Sequence, residues 1–315
     1  MRIKVPLAII GGAALLTAGA IVYGRSSWET RTAALYKQLE AGRTATSPPV
    51  FAESELDGVP SPVQRYFRAC LRAGQPIVTA ARIEHAGIFN MSETAEQWKP
   101  FTSKQYVATR RPGFVWDARI AAMTGVPVFV HDAYVGGTGF LQARLFGLVR
   151  VAEVHDVPEI ARGELMRFLA EAAWYPTALL PSQGVCWQAV DDTSAKASLT
   201  DGDVTATLLF RFNNDGLIES IRAEDRGRGI KKQFVPTPWE GRWHRYEWRD
   251  NMLVPIEGEV AWVFPAGPKP YWRGRITRIE YELDVHTRSP STDASGEASP
   301  LSRNRGDHAR ASTSV

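Results

Sequence analysis

Apolar and polar residues alternate along most of this chain with the period of β-strands. In 113–121, Phe114, Trp116, Ala118 and Ile120 fall on one face and Asp117 and Arg119 on the other, the pattern of a strand buried on one side. Val204, Ala206, Leu208, Phe210 and Phe212 repeat it, and Asn213-Asn214-Asp215-Gly216 reads as a hairpin turn. Similar runs predict strands at about 78–91, 104–110, 126–135, 185–191, 194–200, 217–226, 242–249, 258–264 and 271–285. The period becomes helical in two places within this region. Ser61-Pro62 opens a stripe of Val63, Tyr66, Phe67, Cys70 and Leu71 that stops at Gly74. From about Gly163 to Trp174, Leu165, Phe168, Leu169 and Ala172 form a second stripe, with Glu164, Arg167 and Glu171 expected as a solvated, ion-paired face and Pro176 as the stop. Strands joined by short turns, with helices grouped in two places, predict an α+β fold: an antiparallel sheet with helices packed on one face.

The ends differ from this body. Val5–Tyr23 holds no charge and lies between Arg2 and Lys4 before it and Arg25 after it. The run is long enough to span a bilayer, so residues 1–25 are expected to form a transmembrane anchor. Ala18-Gly19-Ala20 offers the alternative of a cleaved signal, but Ile21-Val22-Tyr23 continue the apolar run past that cut. The cations before the run place the body on the exoplasmic side of a cell membrane. Residues 26–58 read as a juxtamembrane helix, with Trp28, Leu35 and Leu39 on one face, followed by a linker from Gly42 that contains Ser47-Pro48-Pro49. The α+β body is placed at 59–286, and 287–315, poor in large apolar residues, is expected to be disordered.

The formal charge is +3 over 315 residues, but residues 1–25 carry +3 and 287–315 carry +1, leaving −1 on 26–286. A near-neutral body argues against a nucleic-acid partner. Gly-x-Ser-x-Gly, His-Glu-x-x-His and Cys-x-x-Cys are all absent from the sequence, and Gly136-Gly137-Thr138-Gly139 reads as a strand turn. No metal, cofactor or catalytic residue is expected. His131-Asp132 and His155-Asp156 lie at no spacing that fixes a site; Cys70 and Cys186 could pair in an oxidising compartment, but their spacing fixes nothing and two buried free thiols are the plainer reading. The basic group Arg226, Arg228, Lys231 and Lys232 is a candidate for lipid headgroups on an anchored protein. Trp239, Trp243, Trp248, Trp262 and Trp272 could fill a core, line a cavity or stack on sugars.

Arg111-Pro112-Gly113-Phe114-Val115-Trp116-Asp117, set among these strands, resembles the Arg-Pro-x-x-Phe-x-Trp segment of periplasmic lipoprotein carriers of the LolA/LolB type. Over about 78–228 the resemblance implies a curved, incomplete antiparallel barrel closed by helices over an apolar cavity. VPSPVQRYF, WYPTALLPSQGVCW, TPWEG, GEVAW and YWRG, spread over 59–280, also resemble an uncharacterised bacterial family with an N-terminal membrane helix. Residues 230–285 exceed the carrier pattern, and a permanent anchor does not suit a diffusing shuttle. The expected function is an envelope protein that binds a lipid or other apolar ligand on the concave face, with Phe114, Trp116, Ile120, Val128, Val130, Tyr134, Leu208 and Phe210 as lining. A non-catalytic partner-binding protein and an enzyme on envelope lipid or glycan are the alternatives.

Overall fold

A computed structural model describes residues 4–45, 47–231 and 233–283, with side chains from residue 15 onward. Lys232 and the predicted tail lie outside the described residues. β1 (Val78–Asn90), β2 (Trp98–Ala108), β3 (Gly113–Met123), β4 (Val126–Val135), β5 (Thr138–Leu145) and β6 (Val149–His155) form one meander. β7 (Cys186–Asp191), β8 (Ser194–Asp201), β9 (Val204–Phe212), β10 (Ile218–Ile230), β11 (Gln233–Arg249), β12 (Met252–Phe264) and β13 (Gly267–Leu283) form a second. Pairing of β1 with β13 joins the two into one antiparallel, 13-stranded open sheet with β6 and β7 at its edges.

The sheet is rolled. The connection between its edges contains α3 (Pro158–Glu171), which touches β4 and β5 on one wing and β9 and β10 on the other. The tip of the β8–β9 hairpin reaches across, where Asp201 Oδ2 accepts from the Tyr134 hydroxyl at 2.9 Å and pairs with Arg111. α2 (Ser61–Cys70) bridges β8 and β12 on the same concave side. Glycines assist the bend: Gly87, Gly274 and Gly258 lie in register across β1, β13 and β12. A Cβ at Gly274 would collide with the Trp272 ring, and one at Gly258 would come within 2.6 Å of the Trp243 ring, so these positions let indoles lie against the backbone.

α2 and α3 share the concave side, whereas α1 (Lys4–Ala41), expected as an anchor and juxtamembrane helix outside the body, packs on the convex side against β2, β3 and β4. Trp28, 0% exposed, stacks on His131 and donates from its indole to Asp117 Oδ1 at 2.8 Å; Thr32 Oγ1 lies 2.7 Å from His131 Nε2. Farther along, Leu39 buries with Tyr106, Val115 and Ala133. The predicted juxtamembrane helix is thus continuous with the apolar run before it. From residue 47 the expected linker is built into the fold: Val50 bridges Pro76, Glu53–Leu56 makes a 3-10 turn, and Phe51 and Leu56 are buried. Apolar residues at 51 and 56 give the segment enough burial to offset its ordering.

Candidate functional site

Strand alternation sends the even residues of β3 and β4 inward. Phe114 faces Tyr134, Trp116 faces Asp132, Ala118 faces Val130 and Ile120 faces Val128. Across from them α3 is buried nearly all round from Gly163 onward, with Glu164 4% exposed and Glu171 8%, while Glu159 and Arg162 in its first turns stay open to solvent. This corrects the solvated stripe expected for Glu164, Arg167 and Glu171. Arg167 Nη1 donates to Asp132 Oδ2 at 2.6 Å and Nε to Glu171 Oε1 at 2.6 Å, while Gln105 Nε2 donates to Glu171 Oε2 at 2.7 Å. The Arg167 guanidinium also lies 4.8 Å from the Phe114 ring centre and 5.0 Å from that of Trp116. On the other wing Arg226 Nη2 reaches Glu164 Oε1 at 3.3 Å, and its guanidinium lies over Trp239.

Three carboxylates face two guanidiniums in this layer. Burial, then the charge of Asp132, pushes the Glu164 carboxyl up to about 8, so it holds a proton at neutral pH and the layer balances. Burial, with the Arg167 charge nearby, pushes His85 down to about 3, which keeps its imidazole neutral. Several polar atoms here have no partner among the described residues: Asp132 Oδ1, Glu164 Oε2, Gln105 Oε1, Arg226 Nη1, His85 Nε2 and the indole nitrogens of Trp116, Trp174 and Trp243. Unpaired buried donors and acceptors are costly. Their clustering leaves this buried layer with unmet capacity to donate and accept hydrogen bonds.

Toward the strand ends that carry the β1–β2, β3–β4, β5–β6, β10–β11 and β12–β13 turns, this layer gives way to apolar side chains that are only partly buried. Phe89, Ala122, Leu145 and Ala152 come from the first meander and Val260, Trp262 and Tyr271 from the second, and Phe89 meets Tyr271 edge-on at 5.9 Å where β1 joins β13. Trp262 stacks on Tyr271, whose hydroxyl accepts from the Trp239 indole at 2.9 Å. The β1–β2 loop bends over this mouth, with Glu93 bound to Arg228 at 3.0 Å and its carbonyl to Lys269 Nζ at 2.6 Å.

A family model described as a family of unknown function, DUF6920, matches residues 57–281, the whole sheet but for its last two residues. The chain belongs to that family. No curated protein matches it. Among solved structures it is similar to a domain described as an outer membrane lipoprotein-sorting protein from Vibrio parahaemolyticus, at 9% identity and a TM-score of 0.37 over 77% of this chain and 95% of that one. A LolA superfamily protein from Nitrosomonas europaea matches at 10% identity and a TM-score of 0.38, over 74% and 94%.

In this DUF6920 member the proposed lining residues come together, but in packed surroundings. Phe114, Trp116, Ile120, Val128, Val130 and Tyr134 from one wing and Leu208 and Phe210 from the other all belong to a single buried cluster with α2 and α3. They support the mouth from below. The basic group divides. Arg226 is buried against Glu164 and Arg228 is held by Glu93, so neither is free for a headgroup, whereas Lys231 is exposed on the β10–β11 turn. Trp239, Trp243 and Trp272 are buried, Trp262 is at the mouth and Trp248 is exposed. His131 and Asp132 point to opposite faces, and among the described residues no group of His, Cys, Asp and Glu could hold a metal ion. Both cysteines are free thiols, but only Cys70 is buried as expected; Cys186 is exposed. Two surface clefts lie elsewhere, about 260 Å³ between α1 and β5–β6 and about 400 Å³ along the seam where α3 begins.

The sequence reading missed the charged layer and the mouth. Glu164, Arg167 and Glu171 announce a charged helical stripe, but nothing local to them says that Asp132, Gln105 and Arg226 wait opposite. A signal existed in Asp132 itself, an acidic residue at an inward position of β4.

Proposed function

We propose that this chain is a membrane-anchored envelope protein that binds an amphipathic ligand, a lipid or another acyl-chain molecule, through the mouth of its rolled sheet. The carrying observation is the layering of the concave side: partly exposed aromatic and aliphatic walls above, and below them a balanced charged layer with unpaired donors and acceptors. An apolar chain would lie against Phe89, Leu145, Val260 and Trp262, and a polar end would meet the unpaired Trp116 indole and Gln105 Oε1. Ligand pockets combine such apolar walls with a few convergent polar groups. Arg167, held by Asp132 and Glu171, positions Trp116 rather than binding.

The anchor is part of this reading. Among the described residues no helix is long and apolar enough to cross a membrane; most of the charge-free run, 5–14, lies where side chains are not described. Support comes from the sequence of that run and from its setting, since Leu15, Leu16, Ile21, Val22 and Tyr23 all stand exposed on α1. Arg2 and Lys4 orient the body to the exoplasmic side. The close packing of α3 favours the second reading, a partner-binding protein without ligand.

Native mass spectrometry and lipid extraction of the full chain, isolated from its host membrane, decide between them. A stoichiometric lipid that disappears in Leu145→Trp/Ala152→Trp, in which the mouth is filled, is the expected result. Consistent absence of any co-purifying or added acyl ligand from a folded sample would transfer the conclusion to partner binding.

A further inference from the structure

The rim that carries the mouth is also the rim at which α1 leaves the body. Gly24 packs against the β5–β6 turn, where an added Cβ would collide with Leu148 and the Phe146 carbonyl, and Gly147 abuts the Gly24 carbonyl. At its other end α1 reaches the opposite rim: Leu39 touches Gly113, Thr44 N donates to the Arg110 carbonyl at 2.9 Å, and Arg43 pairs with Glu282 at 2.8 Å. Residues 4–23 therefore continue beyond the mouth rim, over roughly 30 Å at 1.5 Å per residue. The grip on the convex face through Trp28, Thr32 and Leu39 fixes the direction of the body relative to that segment.

The same rim holds most of the body's uncovered apolar side chains. Of the large hydrophobic residues exposed outside α1 among the described residues, Met91, Met123, Val149, Val151 and Val235 lie in or beside its turns, with Met123 at 65% and Val149 at 63%; Val190 and Trp248 lie elsewhere. Lys231 and Lys269 are exposed among them. Scattered single hydrophobic residues are ordinary, but a ring of them at one end of a molecule marks an interaction surface. Cations beside apolar residues suit the headgroup region of a bilayer.

We infer that this rim of turns seats on the lipid surface from which α1 emerges, so that the mouth opens directly onto the bilayer. The inference rests on the anchor reading and adds to it an orientation: the sheet stands on its turns. A ligand could then pass between bilayer and mouth without crossing water, and the Glu93 contacts to Arg228 and Lys269 lie at the point of passage.

The test uses the full chain, with Cys186→Ser, reconstituted in vesicles of phosphatidylethanolamine and phosphatidylglycerol. Single cysteines at Met123, Val149 or Val235, and at Val190 or Trp248 as references, carry an environment-sensitive fluorophore. Flotation reports anchoring, and quenching by spin-labelled lipid reports depth. Flotation with at least threefold stronger quenching at the rim than at the references is the expected result. Adding Met91→Asp and Val151→Asp should then lower quenching at Val235 while flotation persists. Flotation with equal quenching at all five positions would overturn the seated rim and leave the anchor standing. Failure to float would overturn both.

Discussion

β3 and β4 present two faces to two helices, and the two interfaces are finished differently. On the convex side Asp117, Arg119, Phe129 and His131 meet α1, and each polar group in that contact has a partner: Asp117 takes the Trp28 indole and Arg119, while Thr32 takes His131. On the concave side Trp116, Asp132 and Gln105 meet α3, and the contact leaves unpaired polar atoms on all three. Both contain buried charge and aromatic stacking. Only the convex one is complete within the chain. A contact that serves solely to hold a helix can satisfy its polar groups, whereas one left open keeps capacity for something else, at a cost in stability.

The largest expected effects compare the aromatic centres of these contacts. Trp28→Ala and Trp116→Ala should each cost about 3–5 kcal/mol, because each removes a buried indole from close packing. Urea unfolding measures this, and an unchanged midpoint for Trp116→Ala would show that the concave contact is not core. Lipid retention should separate the two: near-complete loss in Trp116→Ala, little change in Trp28→Ala under conditions where both remain folded.

Arg167→Leu comes next. It leaves Asp132 and Glu171 buried without their cation, which should cost about 3–5 kcal/mol less any relief from protonating one of them. Arg119→Leu should cost no more than about 1 kcal/mol, because Arg119 is part exposed and Asp117 keeps the Trp28 indole. Equal losses would erase the distinction between the faces.

The pH dependence sharpens it. Glu164 binds its proton more tightly when folded, so its contribution is complete below the ordinary carboxylate range and is lost as pH rises toward about 8. Glu164→Gln should remove that loss and gain on the wild type between pH 5 and 8. The histidines act in the opposite sense. Burial lowers His85 to about 3 and His131 to about 4, so each favours the fold above the ordinary histidine value and loses that contribution as pH falls. Unfolding midpoints measured from pH 4 to 9 for wild type and Glu164→Gln test the sign; parallel curves would place Glu164 in a solvated setting.

Much of the fold was legible because β9 alternates strictly and its burial follows, as does that of β3 from Trp116 to Ile120; in β4 Phe129, His131 and Ala133 are buried as well, because α1 covers the outer face. β5 and β6 were not legible. Thr138–Leu145 is half-buried on both faces, and Val149–His155 is an edge strand with valines turned to solvent, so no period marks them. The convex site of α1 was hidden for a related reason: Trp28 and Leu39 predict a buried stripe but not the face that receives it. The charged layer was least legible, since its partners come from β2, β4, α3 and β10, and only the rolling of the sheet brings them together.

The smallest effect tests the completeness of the convex contact. Asp117→Asn preserves an acceptor oxygen for the Trp28 indole and gives up only the charge facing Arg119, in a site that is partly open to solvent. About 1 kcal/mol of lost stability is expected, the difference between a charge-assisted and a neutral hydrogen bond. Asp117→Leu should cost more, about 1–3 kcal/mol, because the indole N–H is then buried without an acceptor. The order Leu worse than Asn, read from urea midpoints, identifies acceptance of that hydrogen bond as the role of Asp117. If Asn were as damaging as Leu, the charge itself would be holding Arg119 against Phe129 and Trp28, and the convex face would depend on ionic balance as the concave layer does.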